Sequence, residues 1–298
     1  MALLAGVAAL AAAGGCSRLS VLDGRIDAIG DAEARRLIRD ALWVGGSKYE
    51  WIKHDTIRAE VTRTDHAPLG DVVIDEVWLL GLWDGKVRME VSAPLTTGGL
   101  SASAGATLAA GTIDPGEHPP SAAAGPRQVT VFDGKAWRTY VDGRESSDLD
   151  AKARAALSAR LARELLVMPL ALTEPDLRIR YAGTRAGPAE ARLWERLLVT
   201  YAPEAGRAPG DRMVVEVLKA TRQVDSVLIQ WQDYPLVGRP LRVDMKLWEA
   251  TDGLYTSRLW RFYPADEKAE RTGPEQCTVR VRKVEFGAGA GAGDFEKP

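Results

Sequence analysis

The sequence predicts a mainly β protein of the α+β type. Its expected core is one large curved antiparallel sheet, or incomplete β-barrel, with helices plugging the concave side. Residues 176–286 show almost only strand patterns separated by Gly, Pro and Asp turns. Further strand patterns and two amphipathic helices precede them. A sheet of about ten strands curls rather than staying flat, and its concave face can bury the apolar helix stripes.

The N-terminus has the pattern of a bacterial lipoprotein signal. Residues 1–15 carry no charge and no polar side chain, and they end in Ala13-Gly14-Gly15 directly before Cys16. We therefore expect a signal peptide over 1–15 and acylation of Cys16, which attaches the protein to a membrane through lipid. Ser17, where Asp would favour the inner membrane, indicates the periplasmic face of the outer membrane.

One alternative for this segment is a buried N-terminal helix that happens to contain a cysteine. The usual Lys or Arg near the start of a signal is missing, which a start codon placed too far downstream explains. The glycines in this segment would weaken a buried helix. A membrane-spanning helix is also disfavoured, because the segment is shorter than the about 20 apolar residues that spanning requires. Residues 16–30 are then expected to form a tether. With Cys16 acylated, Cys277 has no partner for an intramolecular disulfide.

The composition limits the number of domains and the classes of partner that the rest of the chain can have. The 298 residues are 46% hydrophobic, enough for a substantial core, and we expect one domain over 31–286. Lys+Arg of 39 against Asp+Glu of 41 gives a net charge of −2. Because nucleic-acid binding normally needs a basic surplus or patch, nucleic acid is not an expected partner.

The first predicted elements are a helix and a strand. Residues 31–42 have Asp31 as the N-cap and an apolar stripe, and Gly45-Gly46 ends the helix. From residue 55 onward the period changes to two, as in a strand with one wet face. The stripe consists of Ala34, Leu37, Ile38 and Leu42.

Asp84-Gly85 predicts a hairpin with a two-residue turn. Pairing outward from this turn sets Leu82 opposite Val87. The same register sets Leu80 opposite Met89 and Trp78 opposite Val91, with all six side chains on one face.

Residues 93–127 break the strand pattern because they are rich in Ala, Gly, Ser, Thr and Pro, and we expect a flexible insertion there. A second hairpin follows around Asp133-Gly134. Residues 148–168 then predict the longest helix, which Pro169 ends. Its expected stripe is Leu149, Ala153, Ala156, Leu157, Leu161, Leu165 and Met168.

The second half of the chain predicts seven strands, followed over 287–298 by a flexible Gly/Ala tail. In the fifth of these strands, Leu241, Val243, Met245 and Leu247 alternate with polar neighbours. The seven strand ranges are 177–183, 193–202, 212–219, 224–232, 241–249, 254–263 and 278–286.

Three segments resemble the LolA/LolB-like lipoprotein-localisation fold. Residues 132–140 (FDGKAWRTY) are similar to a family hairpin of the form D-G-K-x-x-W/Y-x-Y, with the Trp one residue early. Residues 41–46 followed by Trp51 resemble the family's helix–GG–W–strand opening. Residues 228–263, with Asp252-Gly253 in a turn, resemble its closing strands. The acylated Cys16 resembles the family's outer-membrane receptor rather than its soluble carrier.

The resemblance implies an apolar cavity between sheet and helices that holds an acyl chain or another hydrophobic ligand. An ordinary filled core is the alternative for the same side chains, because inward-facing apolar residues are core more often than pocket. The candidate cavity residues, taken from the predicted faces, are Trp78, Leu80, Met89, Leu157, Leu161, Leu247 and Trp260.

No sequence motif predicts catalysis, a cofactor or a metal. His54, His66 and His118 each adjoin an acid, but neighbouring side chains on a strand point to opposite faces. Ser101 lacks the glycine and the strand-to-helix setting of a nucleophile elbow. We therefore expect a binding protein without catalytic residues. The alternatives are a structural or interaction lipoprotein with a filled barrel and an unrecognised envelope enzyme.

Overall fold

The structure is a computed structural model, and it describes residues 17–68, 70–92, 95–97, 128–187, 192–202, 210–231, 240–289 and 292–295. It contains one large antiparallel sheet that does not close, as the sequence predicted. The strands of the first half are β1 (Thr56–Asp65), β2 (Asp71–Gly81), β3 (Val87–Val91), β4 (Leu95–Thr97), β5 (Gln128–Phe132), β6 (Trp137–Val141) and β7 (Arg144–Glu145). The strands of the second half are β8 (Leu177–Ala186), β9 (Leu193–Tyr201), β10 (Arg212–Leu218), β11 (Val224–Gln230), β12 (Leu241–Thr251), β13 (Leu254–Pro264) and β14 (Cys277–Phe286). The seven strands predicted after residue 176 are confirmed.

Two antiparallel meanders meet in the middle of the sheet. The strand order is β7-β6-β5-β3-β2-β1-β14-β13-β12-β11-β10-β9-β8, with β4 paired to β2 beside this path. The first strand thus pairs with the last, from Ile57 opposite Phe286 to Asp65 opposite Cys277. The open edges of the described sheet are β7 and β8.

The hairpin at Asp84-Gly85 differs from the prediction by two residues. Leu80 pairs with Val87 and Trp78 with Met89, because the chain makes a four-residue rather than a two-residue turn. Trp83 favours the longer turn, since its Nε1 donates to the carbonyl oxygen of His54 at 2.7 Å. A shift of two residues preserves the faces, so the predicted inward positions still hold.

The segment expected to be a tether is instead a helix. Residues 17–27 form α1, and Leu22 and Ile26 are completely buried in the main core. Together with Leu19 and Ile29 they follow the three- and four-residue spacing of a helix stripe. Burial of this apolar stripe holds α1 against the rest of the domain.

The helix α2 (Ala32–Val44) begins at Asp31, as predicted, and is followed by the short α3 (Ser47–Trp51). The Asp31 carboxylate accepts from the N–H groups of Ala34 at 3.1 Å and Tyr181 at 2.9 Å. These bonds lower the pKa of Asp31. One carboxylate therefore caps the helix and fixes it to edge strand β8.

The helix α4 (Leu149–Leu166), with Asp148 as its N-cap, packs on β3, β5 and β6. Its first half differs from the predicted stripe, because Ala155 is buried whereas Leu149 is 76% exposed. Ala153 is exposed as well. From Leu161 onward every residue of the helix is buried.

The ends of the chain and the insertion are described only in part. Cys16, the signal segment 1–15 and residues 98–127 of the insertion lie outside the described residues. The tail predicted to be flexible contains a 3₁₀ turn, Ala292–Phe295, that packs on β3 and buries Phe295. No helix in the described part of the chain has the length and apolar character needed to cross a bilayer.

Candidate functional site on the concave face

Two tryptophans form the floor of the concave face. The rings of Trp78 on β2 and Trp260 on β13 stack with centroids 5.5 Å apart and an interplanar angle of 26°. Three strand spacings, about 14 Å in a flat sheet, separate their strands, so the rings meet only because the sheet is strongly curved. Ala59 lies opposite Trp78 on the adjacent β1.

A buried carboxylate lies beside this pair. Glu76 precedes Trp78 by two residues on β2 and so faces the same side of the sheet. It is 3% exposed, and its Oε2 accepts from Trp78 Nε1 at 2.7 Å. Its Oε1 lies 3.4 Å from Arg63 Nη1. Burial raises the pKa of Glu76, and the nearby Arg63 guanidinium opposes this rise.

Cys277 adds a thiol to the same end of the concave face. It pairs with Asp65 across β1 and β14 and packs against the main core. Burial raises the pKa of the Cys277 thiol, and the Asp65 carboxylate raises it further. A raised pKa lowers the thiolate fraction, and with it the reactivity, of this half-buried thiol. Sequence reasoning found neither this residue's position nor the Glu76–Arg63 pair, because both depend on pairing between strands distant in sequence.

Five of the seven predicted cavity residues line the buried interior. Leu157 lies at its margin, half-buried on the first half of α4 and packed against the core. The five buried residues are Trp78, Leu80, Met89, Leu161 and Trp260, each 6% exposed or less.

Leu247 was predicted to face the cavity, but this prediction is wrong, because its side chain is 52% exposed. A positive φ of 52° at this residue interrupts the alternation of β12. Trp248, which alternation places outward, packs on the main core instead. A small cavity of about 10 Å³ remains beside it, lined by Ala41, Val44 and Tyr255 among others.

The opposite face of the sheet carries a groove of about 440 Å³ next to the C-terminal 3₁₀ turn. Val77 and Leu79 form its floor, and Arg58 and Arg88 lie at its sides. These cations are balanced, because Arg58 pairs with Glu60 and Glu285, and Arg88 pairs with Glu90. The groove therefore has no net charge that would select an ionic ligand.

Two of the histidines lie within the described residues, at separate places. His54 packs against Phe286 with ring centroids 5.2 Å apart, and burial lowers its pKa. His66 contacts Asp71 at 3.0 Å and Thr278 at 3.0 Å. His118 lies outside the described residues. Within the described ranges, no cluster of three or more His, Cys, Asp or Glu side chains is arranged to hold a metal.

These features define an open half-barrel with helices on its concave side, and the chain has a LolA/LolB-like fold. A LolA superfamily protein from Nitrosomonas europaea is similar with a TM-score of 0.52 and 9% sequence identity, over 89% of this chain and 97% of that one. A DUF1329 family protein from Desulfovibrio piger is similar with a TM-score of 0.51 and 10% identity, over 88% and 97% of the two chains. No protein-family model matches the sequence, and no curated protein matches it.

Proposed function

We propose that this protein is a lipid-anchored periplasmic protein of the bacterial outer membrane that binds an acyl chain or another hydrophobic ligand between its sheet and α4, without catalysing a reaction. The anchor in this proposal is Cys16, supported by the lipoprotein signal pattern before it. One structural observation carries the ligand-binding part. The helix α4 packs on the sheet, yet in its first half only one small side chain, that of Ala155, is buried.

The helix α2 is attached to the sheet by more polar contacts and more buried side chains than the first half of α4. Arg36 of α2 pairs with the buried Glu195 of β9 at 2.7 Å, and the Asp31 cap binds β8. In the first half of α4, residues 149–157, only Ala155 is buried. Displacing this half costs less buried apolar area than displacing α2. In this proposal the ligand enters and lies beside Leu157, and the Arg63–Glu76 pair offers a polar contact to its head group.

Binding of cis-parinaric acid to the processed chain, followed by its fluorescence, tests this proposal. We expect saturable binding that Leu157→Asp weakens at least about tenfold, because the bound acyl chain would lie against the new carboxylate and remove water from it. Leu149→Asp is the matched control, since it places the same charge on an exposed turn of the same helix. Circular dichroism checks that both variants are folded. Equal binding by the two variants would contradict entry beside Leu157.

A filled interior favours a second function, that of a structural or interaction lipoprotein. Leu80, Met89 and Trp260 are each 3% exposed or less, which is the packing of an ordinary core. In that case parinaric acid binds to neither the unmodified protein nor the Leu149 control. The same titration therefore distinguishes the two functions.

A further inference from the structure

The strand β13 carries a row of buried polar side chains on one face. Thr256, Arg258 and Trp260 occupy alternate positions, so they share the face on which Trp260 stacks in the concave interior. Their exposures are 0%, 8% and 1%. Each has side-chain atoms without a hydrogen-bond partner among the described residues, namely Thr256 Oγ1, Arg258 Nε and Nη1, and Trp260 Nε1. We call these three residues the β13 donor row.

Buried polar atoms without partners are rare in folded proteins, because each of them has given up its hydrogen bonds to water. The neighbouring indole of Trp78 shows the usual arrangement, since its Nε1 donates to Glu76 at 2.7 Å. Three such residues at successive positions on one face therefore indicate a place for a ligand group that accepts hydrogen bonds.

Arg258 gives this row a positive charge that its neighbours balance poorly. Its Nη2 donates to the neutral hydroxyl of Thr251 at 2.6 Å. A carboxylate oxygen of Glu249 lies 3.6 Å from Arg258 Nε, too far for a hydrogen bond, and the Glu249 side chain is 64% exposed. Arg63, by contrast, has the buried carboxyl group of Glu76 within 3.4 Å. Because a buried guanidinium without a close anion is costly, the row favours a ligand with one negative charge.

We propose that the β13 donor row binds the carboxylate of a fatty acid whose acyl chain lies in the concave interior. This inference rests on the proposed function and names the class of its ligand. Trp260 connects the row to the apolar interior, because its ring stacks on Trp78, which pairs with Met89 of β3. The helix α4, which carries Leu157, packs on β3. From a carboxylate at Arg258, the acyl chain runs along these apolar side chains towards Leu157.

Titration with cis-parinaric acid and with its methyl ester, at about pH 8, tests this assignment. The probes have the same acyl chain, but only the acid is charged, since this pH lies well above the usual carboxyl pKa of about 4. We expect the unmodified processed chain to bind the acid at least about tenfold more tightly than the ester, because hydrogen bonds between charged groups are the stronger ones. A purely apolar interior would favour the ester, which loses less hydration on burial.

The variant Arg258→Met should bind the acid at least about tenfold more weakly than the unmodified protein and should bind the ester equally well. Its fold should persist, because an apolar side chain replaces a poorly paired buried charge, and circular dichroism checks this. The matched control is Arg261→Met, which removes the same charge from a half-exposed side chain on the opposite face of β13. It should change the affinity for either probe by less than about twofold, because water and salt screen that charge.

Equal affinities of the unmodified protein for the acid and the ester would overturn the carboxylate site, whether or not the Arg258 variant folds. Equal losses of acid binding in the Arg258 and Arg261 variants would also overturn it, because the net charge of the protein would then explain the effect. If the unmodified protein bound neither probe, the proposed ligand binding itself would be contradicted, and this inference with it.

Discussion

Replacing Trp260 by Ala tests directly whether the concave interior is packed. Its side chain is 1% exposed and stacks on Trp78. Burying an aromatic side chain removes about 150–250 Å² from water, which corresponds to about 4–6 kcal/mol at about 25 cal/mol per Å². Partial collapse of the cavity reduces this loss, so we expect Trp260→Ala to lower the free energy of unfolding by about 3–5 kcal/mol.

Thermal and urea unfolding, followed by circular dichroism, measure this loss. For a chain of this size we expect the Tm to fall by about 6–20 °C. The control is Leu247→Ala, which removes a side chain that the sequence also predicted to face inward but which is 52% exposed. It should change the free energy of unfolding by less than about 0.5 kcal/mol. A loss below about 1 kcal/mol for Trp260→Ala would refute the reasoning, since the ring would then lie in an open cavity.

Three further predictions concern the site and its supports. Burial raises the pKa of the Glu76 carboxyl in the folded protein. At pH values between the pKa of the unfolded chain and that of the folded protein, the folded protein keeps a proton on Glu76 that the unfolded chain has lost. The free energy of unfolding therefore falls as the pH rises through this interval. Glu76→Gln should remove this fall, so that the Tm of the variant gains on that of the unmodified protein as the pH rises above the ordinary glutamate pKa of about 4.3; a difference in Tm that stays constant with pH would contradict the raised pKa. Gly46→Ala should cost about 2–4 kcal/mol in urea unfolding, because φ is 113° and a β-carbon would collide with the carbonyl oxygen of Gly253. Gly143→Ala, also at positive φ but with open space around it, should cost only about 1–2 kcal/mol, and equal losses would exclude the collision. The Cys277 thiol should react with Ellman's reagent at least about tenfold more slowly in the folded protein than in urea, and equal rates would contradict its burial.

The order of the secondary structure was predictable because local signals mark most of its boundaries. Asp31 is the predicted N-cap and caps α2 in the structure, and the helix predicted from residue 148 begins there with Asp148 as its cap. Asp252-Gly253 forms the two-residue turn that its sequence predicts, with Thr251 opposite Leu254. These signals depend on neighbouring residues alone, so they hold without knowledge of the tertiary structure.

The remaining features depend on contacts between distant segments. The turn at Asp84-Gly85 is lengthened by the bond from Trp83 to His54, which no local pattern encodes. The positive φ that turns Leu247 outward accompanies the packing of Trp248 on the core. The Glu76–Arg63 pair requires the register of β1 against β2. The sequence therefore predicted the faces of the strands better than the exact site that they form.

The helix α1 changes what the proposed anchor implies. A tether of residues 16–30 would let the domain move freely above the membrane, whereas a helix that begins at Ser17 and buries Leu22 and Ile26 fixes its orientation. In our proposal, this helix therefore fixes how the domain is oriented on its membrane anchor. It also holds the opening beside α4 at a constant position for an incoming apolar ligand.

Mass spectrometry of the protein extracted from its native membranes tests the central claim most directly. We predict a mature chain that begins at Cys16, with acyl chains on that residue, and an apolar lipid that co-purifies under native conditions. A chain that retains residues 1–15, or a Cys16 without acyl chains, would contradict the proposed anchoring. An acylated protein that carries no lipid, and that binds no parinaric acid, would contradict the proposed ligand binding.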